Sequence, residues 1–242
     1  MRLISVVTAA FILSWVTPSS AQEWSDFVSP DDGFRVNFPA QPAVSPATYK
    51  SEYGADLPAR VYLATRGEER YSMTVVDYRP IEQILTAKAK ACPPFADERC
   101  TGFGAGATVG AGYWRTDVRA ALVWASWQFM QRDAKVTHYM WNFIDLVEGH
   151  QLQLTNNADR SRTFVAIYMH DNRLYIMEGT VPVGDPEPGL FQQSLGFVDK
   201  DGNGIRYRDY YDNDYPPPPL ANRPPAPGPG RGLGAVPQGG AR

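Results

Sequence analysis

Cysteine and histidine are scarce in this sequence, and their scarcity removes most metal-binding and many catalytic schemes. The 242 residues hold two Cys and three His. His138, His150 and His170 stand far apart, with no H-E-x-x-H or H-x-H spacing. Antiparallel pairing would bring His138 near His150, but two His without a nearby carboxylate make a poor metal site, so surface or strand-edge positions are expected. There is no G-x-S-x-G nucleophile elbow, and Ser194 in "QQSLGF" reads as a packed hydroxyl in a short helix. The glycine run 102–112, "GFGAGATVGAG", lacks the third glycine of a dinucleotide fingerprint, since Ala107 and Val109 occupy those slots, and no Lys completes a P-loop. It reads as a loop. No basic cluster is present and the formal net charge is −3, which argues against nucleic acid as a partner. No catalytic residue and no cofactor is assigned.

What is present begins with a leader. Arg2, the apolar run Leu3 to Val16, and the small residues Ser19 and Ala21 ahead of Gln22 have the three parts of a secretory signal peptide, residues 1–21. No Cys stands at the cut, and no later run is long and apolar enough to cross a bilayer. The expectation is a periplasmic or secreted protein with no transmembrane anchor after cleavage. In such a compartment Cys92 and Cys100, in "CPPFADERC", are expected to form a disulfide pinning the connection after a helix.

Residues 22–211 read as one α+β globular domain. Trp24 and Phe27 precede the turn "SPDDG", and Phe34, Val36 and Phe38 then alternate with polar residues, which predicts a hairpin. A second hairpin turns near Gly67, with Val61 and Leu63 on one face and Met73 to Tyr78 as the return strand. Ile81, Ile84, Leu85 and Lys88 keep helical spacing behind Pro80, placed as an N1 residue. "RTDVRAALVWASWQFMQRD" predicts the main helix, with Thr116 as N-cap and a stripe of Val118, Leu122, Ala125 and Phe129, while its Trp and Val content leaves a strand as the competing reading. "KVTHYMWNFI", "HQLQLTN", "SRTFVAIYMH" and "RLYIMEGTVP" predict strands, with a tight turn at Asp171–Asn172. "PGLFQQSLGF" predicts a terminal helix and "GIRYRDYY" a last extended piece. Residues 212–242 hold nine Pro and six Gly; they predict a disordered Pro/Gly-rich tail with polyproline character at Pro216 to Pro219. The resulting architecture is an antiparallel β-sheet with flanking helices.

Two stretches carry a family resemblance. "DGFRVNFPAQP" near the start, and "NRLYIMEGTVP" with "LFQQSLGFVD" near the end, resemble exported bacterial proteins of unknown function with a PsbP/Mog1-like domain. The resemblance spans roughly residues 23–208. Its motifs are structural: aromatic strand residues, a proline stop, a buried helix. It implies the PsbP/Mog1-like fold and a non-enzymatic module that binds a partner protein or an assembly. The cysteine pair and the glycine run lie outside the pattern.

Three further groups invite chemistry. Asp199, Asp201, Asn203 and Gly204 in "FVDKDGNGIRY" match the first six positions of an EF-hand calcium loop, but Tyr210 stands where the bidentate Glu belongs and Arg206 where an apolar residue belongs. Asp-Gly and Asn-Gly are also strong turn formers. Asp31 and Asp32, and Asp209, Asp212 and Asp214, read as turn and boundary solvation. Trp114, Trp124, Trp127 and Trp141 read as core or, alternatively, as a carbohydrate or lipid pocket. The leading reading is an exported non-catalytic domain that binds an unknown envelope protein. The alternatives are a small-ligand binder or hydrolase with a Trp-lined pocket, and a weak calcium binder at Asp199–Gly204.

Overall fold

A computed structural model describes residues 24–96, 98–101, 113–214 and 216–220. The expected leader, the glycine run 102–112 and residues 221–242 lie outside them. The chain opens with a hairpin of β1 (Ser25–Ser29) and β2 (Phe34–Phe38). Phe34, Val36 and Phe38 are fully buried, as their period of two requires. Next comes β3 (Ala43–Lys50), which the sequence reading did not anticipate. Pro46 sits inside it, and only an edge strand tolerates the missing N–H. The predicted second hairpin is β4 (Asp56–Arg66) and β5 (Glu69–Asp77), closed by Gly67 at φ +58°.

Helix α1 (Ile81–Lys90) starts one residue after Pro80, which is its N-cap rather than its first helical residue. A short turn, α2 (Glu98–Thr101), lies in the cysteine loop, and the Sγ atoms of Cys92 and Cys100 are bonded. Helix α3 (Trp114–Met130) begins two residues before Thr116, so Thr116 is in the first turn and not the cap. The stripe holds: Val118, Ala125 and Phe129 are buried. Four long strands follow as predicted, β6 (Ala134–Ile144), β7 (Val147–Asn156), β8 (Arg162–His170) and β9 (Arg173–Val181). The β8–β9 turn is at Asp171–Asn172, both at positive φ. The terminal helix α4 is one turn, Gly189–Gln192, and the rest of the expected helix becomes the two-residue strand β10 (Gly196–Phe197).

These strands make two antiparallel sheets. The large one runs β3-β4-β5-β9-β8-β7-β6, and the small one β1-β2-β10. Helices α1 and α3 cover one face of the large sheet, where Leu57, Leu85, Ala121, Ile167 and Leu174 form a continuous apolar layer. The small sheet and α4 cover the other face through Phe34, Phe38, Tyr71, Met177, Phe191 and Phe197. With both faces covered, β8 reads as a near-continuous apolar run instead of alternating. The two stretches that carry the family resemblance are spatial neighbours here: β10 pairs with β2, and Phe191 packs on Phe38.

The last segment, expected as an extended piece, forms only isolated bridges. It crosses the end of the large sheet instead. Tyr211 N–H donates to Leu146 O at 3.0 Å, Asn213 pairs with Asn172, and Arg119 holds Asp214. These bonds reach into residues 212–214, at the start of the expected tail. Even Leu220 N–H is bonded, to Arg206 O at 2.7 Å.

Candidate functional site

The buried polar groups are the first places to look for chemistry. His150 in β7 is 3% exposed, and its Nδ1 lies 2.8 Å from Ser126 Oγ and 3.2 Å from Tyr139 OH. A serine beside a histidine suggests a nucleophile with its base, but the proton is placed wrongly. Ser126 donates its hydroxyl proton to Leu122 O at 2.8 Å, so its oxygen offers only lone pairs to the imidazole. A general base must instead receive the nucleophile's proton. Burial also lowers the His150 pKa. The group is therefore a packed joint between α3 and the sheet.

His170 forms a second joint. It is buried, stacks on Phe197 with ring centroids 4.2 Å apart, and shares a 2.6 Å hydrogen bond from Nε2 to Tyr207 OH. Tyr211 closes the cluster at 4.6 Å. Burial first, and the Arg173 charge second, push the imidazole pKa down to about 3. This aromatic clasp fastens the last segment to the end of β8. The pairing of His138 with His150 does not occur: His138 lies opposite Gln153 and is exposed, and His150 lies opposite Trp141. Two of the three His are thus core residues rather than surface ones.

Two buried carboxylates act as fasteners. Asp32 accepts from Arg60 and from Tyr62 OH, tying the first hairpin to β4; burial and that acceptor raise the Tyr62 pKa to about 12. Asp117, fully buried in the first turn of α3, accepts Ser51 Oγ–H at 2.5 Å and Tyr53 N–H at 3.3 Å. It clamps the β3–β4 turn, where Gly54 takes φ +76°, and burial raises its pKa. Sequence reading missed both acids as structural hubs. Ser194, expected inside a helix, lies just past α4; it accepts Asn37 N–H and donates to Phe191 O, so it is indeed a packed hydroxyl.

The calcium candidate brings Asp199, Asp201 and Asn203 into one turn, but the turn uses the carboxylate itself. Asp199 Oδ1 accepts the N–H groups of Asp201 and Asn203, each at 2.9 Å, and Oδ2 accepts Asn203 Nδ2–H at 3.2 Å. The Asn203 N–H is the main cause of its lowered pKa. The chain then doubles back, with Ile205 N–H bonded to Phe197 O, in place of an exiting helix. Among the described residues no group of three His, Cys, Asp or Glu is arranged for a metal. Accordingly, the melting temperature is expected to agree within about 1 °C between millimolar calcium and chelator, since a site far from saturation adds almost nothing. Asp199→Ala should lower it equally in both buffers. A calcium-dependent rise would restore the metal reading.

Of Trp114, Trp124, Trp127 and Trp141, only Trp114 packs against the core, and the others line no closed pocket among the described residues. Trp127 and Trp141 are exposed, and half-buried Trp124 stacks on Trp127 while donating to Lys50 O. Trp141 belongs instead to a row on β6. Tyr139, Trp141 and Phe143 share the helix-side face, with Trp141 60% exposed, and Met140 projects from the opposite face, 46% exposed. Strand β6 has 11 residues, no Pro and one Lys, and among the described residues it pairs only with β7. The other edge, β3, is blunted by Pro46. A long apolar edge with unpaired backbone donors and acceptors is what soluble proteins usually prevent. One irregularity, a register shift between Val136 and His138, interrupts it near the start.

Beside this row an open cleft of about 640 Å³ separates α3 from the last segment. Val118, Leu122, Glu148, Met169, Tyr210 and Asp212 line it. Tyr210 packs on Phe143, so the row on β6 continues into the cleft wall. Burial raises the Glu148 pKa.

No protein-family model matches the chain, and no curated protein matches it in sequence. Among solved structures it is similar to the solution structure of cyanobacterial PsbP from Synechocystis sp. PCC 6803, at 9% identity and a TM-score of 0.40, over 77% of this chain and 99% of that one. A likeness of that size decides nothing about function, which must come from the chain's own surface.

Proposed function

We propose that the protein is an exported, non-catalytic domain of the PsbP/Mog1-like kind that binds a partner protein of the cell envelope by accepting an added strand at β6. One observation carries this reading: among the described residues the outer edge of β6 is long and unpaired, with an apolar row on its helix-side face and Met140 exposed on the other. An extended partner segment would pair with its backbone and set alternate apolar side chains against Tyr139 and Trp141 on one face and Met140 on the other. The Cys92–Cys100 bond suits an oxidising compartment such as the envelope. The buried Ser–His pair, Asp32 and Asp117 are occupied in fastening the fold, which fits a binding module.

The test places photo-crosslinking residues at Met140 and, on the opposite edge, at Thr48, in cells that make the protein. Adducts of defined mass at Met140 and none at Thr48 are expected. Equal labelling at both edges, or none at Met140, would sink the reading.

A further inference from the structure

The cleft between α3 and the last segment is apolar on its walls, and its rim sets Glu148, Asp212 and Asp214 against one arginine, Arg119. Leu122, Met169 and Tyr210 supply the apolar part, and the Tyr139–Trp141–Phe143 row extends it along β6. Glu148 and Asp212 supply the charge; neither takes part in an ion pair among the described residues. Asp214, at the same rim, is already held by Arg119. A matching ligand would carry guanidinium groups for the carboxylates and flat, stiff apolar units for the aromatic row. Proline-rich segments meet the second requirement, because they lie on aromatic surfaces at low entropic cost.

This chain contains such a segment. Residues 221–242 hold Arg223, Arg231 and Arg242 with no Asp or Glu, and prolines at 224, 225, 227, 229 and 237. The described chain delivers that segment to the right end of the molecule. Leu220 is bonded to Arg206 O, and Arg206 lies 3.7 Å from Asp145, in the turn that ends β6. Twenty-two residues in extended form reach roughly 68 Å at about 3.1 Å each, whereas β6 is only about 36 Å long. A segment tethered this closely has an effective concentration of about a millimolar, so even a weak match of charge and shape keeps it bound.

We propose that residues 221–242 dock in the cleft between α3 and the last segment of their own chain, with arginines on Glu148 and Asp212 and prolines along the adjoining aromatic row of β6. The docked segment shields the helix-side face of β6 and leaves its outer backbone edge and Met140 open. The docked prolines cover Tyr139 and Trp141, which an added strand also uses, so the two compete for that face, while the outer edge and Met140 remain open to strand addition alone.

The test uses the full chain with a benzophenone side chain at position 233, irradiated at micromolar concentration, with the adducts mapped by mass spectrometry. Adducts within one chain to Leu122, Tyr139, Trp141, Phe143 or Tyr210 are expected. Arg231→Glu, which leaves the folded domain untouched, should cut their yield about threefold or more, as should Glu148→Lys, and combining the two should restore part of it. Adducts between two chains, adducts scattered over other faces, or a yield indifferent to both charge reversals would each overturn the proposal. The crosslinker at Met140 reads the strand-addition proposal separately.

Discussion

Gly149→Ala is expected to destabilise the protein by about 3 kcal/mol or more, near the upper end for overpacking. Alanine in a strand interior normally gains about 0.5–1 kcal/mol over glycine, because it loses less backbone entropy. Here sterics win. Gly149 lies in β7 between Asn142 of β6 and Tyr168 of β8. A Cβ built on it would overlap the Ile167 carbonyl oxygen and stand 2.5 Å from Tyr168 Cε1. The obstacle includes main chain, so no rotamer change relieves it. The Tyr168 ring lies across the bare glycine, and its hydroxyl accepts Asn142 Nδ2–H at 2.7 Å, two strands away. Displacing the ring also breaks that bond, adding about 1 kcal/mol. The urea midpoint of Gly149→Ala should fall accordingly, while Gly204→Ala, with open space and ordinary backbone angles, should stay within about 0.5 kcal/mol of the parent. A loss under about 1 kcal/mol at Gly149 would mean that Tyr168 does not lie where described. Amide exchange along β6 should quicken as well, since Asn142 ties that strand to Tyr168 of β8.

Acid should weaken the fold through His170. Its folded pKa is pushed down to about 3, against about 6.5 for an unfolded histidine. The neutral ring is therefore favoured by folding. Its contribution is complete above about pH 6.5 and is lost as pH falls from there towards 3, because only the unfolded chain takes up the proton. At pH 4.5 the loss is roughly 2–3 kcal/mol relative to pH 7. The groups facing the ring are Tyr207, Tyr211 and Arg173, with Phe197 stacked below. None is an acid that would offer the protonated imidazole a counter-charge. His170→Phe keeps an aromatic ring but removes the titration. The stability difference between parent and variant should thus favour the parent most at pH 7 and shrink by that amount at pH 4.5. A difference unchanged across that range would show that His170 stays solvated and charged. His150, whose pKa burial also lowers, adds to the acid loss with the same sign and is common to both proteins.

Local patterns carried much of this architecture. The strands β6 to β9 follow from β-rich runs bounded by turn residues, and Asp171–Asn172 supplies the left-handed turn that the residue types favour. The stripe of α3 follows from its spacing. What the residues could not disclose is set by partners distant in sequence. Asp117 looks like an ordinary helix acid until Ser51, 66 positions earlier, is placed against it. The burial of His150 and His170 depends on Ser126 and Tyr207 in the same way. The strand β3 was hidden because Pro46 argues against a strand unless the strand is known to be an edge. The apolar edge of β6 was partly legible: "YMWNF" is conspicuous, but its exposure depends on nothing lying beyond it in the sheet order. The Asp199 turn matches a metal loop over six positions because both need the same tight reversal, and only the hydrogen bonds to Asp199 tell them apart.

The order of strands in the large sheet also bears on how the chain reaches it. Strands β3, β4 and β5 are joined by short turns, as are β6 to β9, so each group can zip up locally. The two groups meet at one seam, β5 against β9, where Arg70 faces Thr180 and Asp77 faces Arg173, roughly a hundred residues apart. During synthesis β5 is complete long before β9 is made. Until then Tyr71, Met73 and Val75 present an uncovered strand border to the surroundings. The nascent chain is thus most exposed to mispairing in the interval between those two strands, and closing the seam is the step that ends it.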